Sequence, residues 1–172
     1  PHLKVDVQDL GCDFYCFSAH KIYAPMGIGV VYGRKELLEE MHPYQAGGEM
    51  IKEVTFARTT YNVSPYRFEA GTPSVADVIG FGKALEYINQ LGMENIIAHE
   101  DKIMQYATEQ LETIDGVRII GNAKEKAGAI SFLVANSHPF DVGTLLDQMG
   151  IAIRTGHHCA QPVMQHYNIP GT

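Results

Sequence analysis

Long apolar runs are the first thing missing from this sequence. No stretch approaches the ~20 apolar residues of a membrane span. The opening residues carry Lys4, Asp6 and Asp9 where a signal peptide would be apolar. A soluble, cytoplasmic protein is therefore expected. Charge is also scarce: Asp, Glu, Lys and Arg make up 19 % of the chain, below the ~25 % of an average soluble domain. That charge leans acidic, with 13 Lys plus Arg against 20 Asp plus Glu and a net −7 at pH 7. No basic cluster stands out, which argues against nucleic acid or a membrane surface as the main partner. Only three cysteines are present. An odd count, in a chain able to bury its own core, points to a reducing compartment and away from a disulfide scaffold. Gly27, Gly29, Gly47 and Gly48 fit no phosphate-binding pattern of a dinucleotide fold. Internal repeats and low-complexity segments are absent too.

What is present fits an α/β chain. At 172 residues and 45 % hydrophobic content, the chain is long enough for one large or two small units of the usual ~150-residue scale. Residues 12–17 and 28–32 are dense in apolar and aromatic side chains and read as strands buried on both faces, with a short helix at 34–41 behind the second. Residues 42–73 are broken by glycine and proline, and their aromatics favour an ordered, functional segment over a floppy one. Ser74 and Asp77 have capping-box spacing and open a helix that puts Val78, Ile79, Leu85, Ile88 and Leu91 on one stripe and ends at Gly92. Further along, the periodicities predict a helix over 95–114, strands over 117–120 and 129–134, a helix over 140–149 and a strand over 151–154. Alternating strands and helices are the α/β signature. The start at Pro1 and the turn-like Ile169–Thr172 suggest that both ends are cut.

Two short segments carry reactive groups. Ser18-Ala19-His20-Lys21 stands where the first strand gives way to a turn. A lysine leaving an apolar layer loses hydration of its ammonium, and in its neutral form it can make a Schiff base. The hydroxyl and imidazole beside it suit a phosphate. On spacing alone, a surface lysine at a strand end, with His20 filling a gap, is the favoured reading, since four residues of this kind occur often. Arg154-Thr155-Gly156-His157-His158-Cys159 follows the last strand. Positive neighbours favour the thiolate that a nucleophilic cysteine needs. An ordinary loop and a zinc site are the rival readings, and zinc lacks a second nearby cysteine. Thr72 precedes the capped helix and offers a hydroxyl to an anion, where a plain turn is the bland alternative. Cys12 and Cys16 read as buried structural thiols.

Taken in order, Ser18-Ala19-His20-Lys21 with Tyr23-Ala24-Pro25-Met26-Gly27, then Arg67-Phe68-Glu69-Ala70-Gly71-Thr72-Pro73, then Arg154-Thr155-Gly156-His157-His158-Cys159-Ala160, the chain resembles SUF-type cysteine desulfurases. These are class V aminotransferase-like enzymes that depend on pyridoxal 5'-phosphate. The resemblance runs over essentially the whole chain. It implies the end of a fold type I large domain over 1–73, then a connecting helix and a small C-terminal α/β domain over 74–172. Lys21 would hold the cofactor covalently and move protons at the substrate's α-carbon. Ser18 and His20 would bind the cofactor phosphate, and Thr72 would reach the phosphate of the partner subunit's cofactor across a homodimer interface. Cys159 would take sulfur from L-cysteine, leaving alanine and an enzyme persulfide for iron–sulfur cluster assembly through an acceptor protein. Arg154 would orient substrate or loop, and no metal is implied. The resemblance also places part of the site outside these residues. A ring-nitrogen aspartate and a stacking ring are expected before Pro1, and a carboxylate-gripping arginine after Thr172. A selenocysteine lyase, or a non-catalytic binding fragment, are the alternatives.

Overall fold

Phe14–Ser18 alternates between exposed and half-buried positions, the period of two that a pleated strand imposes. In the computed structural model, which describes residues 2–172, this segment is β1. It pairs antiparallel with β2, Gly29–Gly33, from Phe14 opposite Gly33 to Ser18 opposite Gly29. The pair is not buried on both faces as expected. Tyr15 and Phe17 face one side, while Phe14 and Cys16 are exposed on the other. Cys12 is half-buried, its thiol directed at Val7 O, so neither strand-region thiol is enclosed in a core.

A six-residue helix α1, Lys35–Glu40, follows. Its last carbonyls are tied down from a distance: Arg67 Nη1 donates to Glu39 O at 2.6 Å. The segment expected to be irregular contains a hairpin, β3 (Ile51–Val54) with β4 (Thr59–Tyr61). Met50 beneath it is fully buried. Asn62 latches the base of the hairpin, its side-chain amide donating to Glu49 O at 2.6 Å and Ile51 O at 3.2 Å. Alternation was hard to see here because the register slips between Ile51 and Glu53.

Helix α2, Val75–Leu91, stops at Gly92, whose φ of 81° suits a residue without Cβ. Its buried side carries Ala84 and Ile88, with Phe81 edge-on to Phe17 at 6.2 Å between centroids. The expected stripe is only partly buried. Ile88 is covered, whereas Val78, Ile79, Leu85 and Leu91 are exposed. Leu3–Met93 makes one compact unit.

The second unit is Glu94–Thr172 together with His2, which reaches Glu100 at 2.7 Å. Helix α3, Met93–Glu112, precedes an antiparallel pair, β5 (Val117–Ile120) with β6 (Ser131–Val134). Helix α4, Pro139–Gln148, begins on a proline, which costs nothing at a first turn whose amides are unpaired anyway. Residues 151–154 form no strand, because among the described residues they find no pairing partner. A helix that the sequence reading missed, α5 (Gln161–Tyr167), buries Met164 and carries a proline, Pro162, as its second residue. No helix among the described residues is long and apolar enough to cross a membrane.

Candidate active site

Each reactive segment is a turn built inside its own unit. At the end of β1 the chain enters a single 3-10 turn, Ala19–Ile22, closed by Tyr23 in the left-handed region at φ 67°. Ala19, fully buried, pins it: its amide donates to Ile28 O at 3.0 Å and its carbonyl accepts from Ala24 N at 3.3 Å. Helix α2 packs on this turn. Gly80 permits a close approach, since a Cβ there would stand 2.8 Å from Pro25 Cγ.

Burying Ala19 in so tight a turn leaves its neighbours outside. Ser18, His20 and Lys21 are exposed, and among the described residues their side chains have no hydrogen-bond or ion-pair partner. A hydroxyl, an imidazole and a primary amine thus sit within four residues, free to bind. The route by which Lys21 was expected to lose its hydration differs from the structure, since it stands in solvent and not at the edge of a doubly buried strand. Thr72, between the 3-10 turn Tyr66–Phe68 and α2, is also exposed and unbonded through its hydroxyl.

The second segment is a closed loop. Gly156 N donates to Thr172 O at 3.0 Å, Thr172 N donates back to Gly156 O at 3.2 Å, and Ala160 N donates to His157 O at 2.9 Å. His158 and Cys159 both take left-handed backbone angles, φ 54° and 58°, a region that side-chain-bearing residues seldom occupy. The Cys159 thiol is exposed. Arg154, Thr155 and His158 border a cavity of about 590 Å³ whose wall also includes β6, the residues leading into it, the starts of α4 and α5, and Thr172. Cys159 does not line it. Among the described residues, no three His, Cys, Asp or Glu side chains are grouped to hold a metal ion.

Residues 1–172 match the class-V aminotransferase family. The chain belongs to that family. Its cysteine-desulfurase relatives are close in sequence. A cysteine desulfurase of Serratia proteamaculans is 52 % identical over 98 % of this chain and 42 % of its own length. Among solved structures, the cysteine desulfurase CsdA from Escherichia coli, in an S-sulfonic acid form, superposes with a TM-score of 0.93 at 40 % identity, covering 99 % of this chain and 42 % of that one. The apo cysteine desulfurase of Thermococcus onnurineus gives 0.95 at 38 %, covering 99 % and 43 %. The chain thus has the α/β fold that these structures share, and it spans less than half of their length.

Two contributors escaped the sequence reading. Thr172 closes the cysteine loop from outside the motif, which only the fold could show. Helix α5, by contrast, had a signal in Pro162 just after Gln161.

Proposed function

We propose that this chain carries the lysine and the cysteine of a pyridoxal 5'-phosphate-dependent cysteine desulfurase. The observation that supports it best is an exposed cysteine displayed on a short, closed loop, in a chain about half identical to proteins of that name. The free donor set at the end of β1 fits the cofactor. Ser18 and His20 can donate to a phosphate, and the Lys21 amine can bond an aldehyde carbon. Thr72 would serve the phosphate of a partner subunit in a homodimer.

When bound, the cofactor supplies an electron sink for the substrate's α-carbon. The chain's residues do the rest. Lys21 Nζ takes and returns the proton at that carbon, work typically worth ~10²–10⁴ in rate. Cys159 Sγ attacks the sulfur of L-cysteine, the substrate's carbon–sulfur bond breaks, and the thiol proton is balanced by a new proton on the β-carbon. The products are L-alanine and a Cys159 persulfide. Arg154 lends positive charge to the substrate side of the loop. So short a loop cannot carry sulfur far, which supports delivery to an acceptor protein; iron–sulfur cluster assembly in the cytoplasm is the role that goes with this reading. In the longer relatives' architecture, residues 1–73 would finish the large cofactor domain, and 74–172 would form the connecting helix and the small domain.

The test is chemical. Incubation with pyridoxal phosphate followed by borohydride should place the pyridoxyl mass on Lys21 ahead of the exposed Lys35 and Lys83, and Lys21→Ala should remove it. Labelling spread evenly over the surface lysines would defeat the cofactor assignment. With L-cysteine added, a one-sulfur mass gain should appear on Cys159 and vanish in Cys159→Ser.

A further inference from the structure

Cys159 owes its pose to something outside its own motif. Residues 158 and 159 are consecutive left-handed positions, each disfavoured for a side chain, and such strain persists only where the surroundings hold it. The surroundings here are the segment 169–172. Thr172 is almost fully buried and exchanges two backbone hydrogen bonds with Gly156. Gly171, at φ 155°, lies so close that a Cβ would meet Gly156 O at 3.0 Å. The side chain that ties the strained pair to this splint is His158. Its Nε2 lies 3.2 Å from Thr172 O and 3.0 Å from Thr172 Oγ1.

We infer that His158 is a positioning residue: clipped to Thr172, its imidazole holds Cys159 in the left-handed, solvent-facing turn from which the thiol works. This rests on the reading of Cys159 as the sulfur-accepting nucleophile. The geometry assigns the two adjacent histidines different tasks. His157 is exposed and reaches forward to the first residue of α5, its Nδ1 3.5 Å from Gln161 Nε2, whereas His158 turns to the splint at Thr172. The clip needs a donor or acceptor at the imidazole's reach, not a charge, so an amide side chain can partly replace it. Glycine at 158 would relieve the backbone strain of that residue without supplying the clip, which separates conformational ease from the tie itself.

Amide hydrogen exchange on the 172-residue chain tests this without cofactor or turnover. In His158→Ala and His158→Gly, exchange at Gly156 N and Ala160 N should rise at least tenfold, with amides of β5 and β6 unchanged. His158→Gln should return part of the protection. Gly171→Ala, which wedges the splint away while leaving His158 intact, should reproduce the His158→Ala pattern. Parent-like exchange in His158→Gly would overturn the inference, as would a Gln variant no better than Ala. The mass gain on Cys159 with L-cysteine and pyridoxal phosphate is the second readout, and it should fall at least fivefold in His158→Ala and recover in His158→Gln. Failure of the parent chain to acquire sulfur on Cys159 would count against the nucleophile reading, while the exchange data would still judge the clip.

Discussion

At the scale of single residues, space decides what a substitution does. Gly80 and Gly82 lie two apart in α2, and alanine is intrinsically better than glycine in a helix by ~1 kcal/mol. A Cβ at Gly82 meets nothing within 4 Å, whereas at Gly80 it would press on the Pro25 ring at 2.8 Å. Gly82→Ala should therefore raise stability by about 0.5–1 kcal/mol. Gly80→Ala should lower it by ~1–3 kcal/mol, as overpacking does, and it should disturb the 18–21 turn that α2 supports. Urea midpoints of the two variants, moving in opposite directions, check this. Equal shifts would mean that α2 does not bear on Pro25. The reactive residues were legible because their chemistry is carried by residue type: amine, hydroxyl, imidazole and thiol in short segments. Gly80 was not, because nothing local announces that a glycine eighty residues in must clear a proline at 25.

At the scale of elements, α2 shows where local rules held and where they bent. Its start, end and length match the reading from Ser74 and Gly92. The capping box does not form as written. Ser74 Oγ is hydrogen-bonded at 2.5 Å to the Asp77 carboxylate and caps no backbone amide. Ser74→Ala should accordingly cost less than the ~1 kcal/mol of a working N-cap, and a loss at or above that value in thermal or urea unfolding would contradict the geometry. Further along the same helix, Glu86 accepts a 2.7 Å hydrogen bond from Lys83 and holds its ammonium above the usual 10.5, through that bond first and charge second. A raised lysine favours the fold while pH stays below the unfolded value, and the contribution fades as pH climbs through the higher folded one. Lys83→Gln should thus be slightly less stable than the parent at neutral pH, an effect small because both side chains stand in solvent. The difference should close above pH 10.5. A gap that widened in alkali would reverse the sign. Strands were harder to read than helices, since a strand exists only with a partner. Residues 151–154 have the apolar alternation and no neighbour to pair with, while 51–61 pair despite a slipped register.

At the scale of the whole molecule, burial is thin compared with the apolar content. Ala84 and Ile88 of α2 are covered, yet Val75, Val78, Ile79 and Leu85 form an exposed apolar stripe on the same helix, with Ile79 69 % accessible. A helix apolar on two faces is the kind found enclosed within a larger protein. The curated and solved relatives, all more than twice this chain's length by the shares covered, are proteins of that size. Alone in water, such a stripe is a surface for dyes and for self-association, opposed only by the mutual repulsion of a chain at net −7. The chain should therefore bind anilinonaphthalene sulfonate while folded, and it should associate more as salt screens its charge. Ile79→Glu should cut the dye signal and the association at high salt while moving the urea midpoint by no more than ~0.5 kcal/mol, as a surface change does. Ile88→Ala should do the reverse, losing about 2–4 kcal/mol as a buried truncation does and leaving the native-state dye signal in place. Sedimentation and dye titration on the two variants decide it. Were Ile79→Glu the more destabilising change, the exposed stripe would have to be packed against something in the free chain.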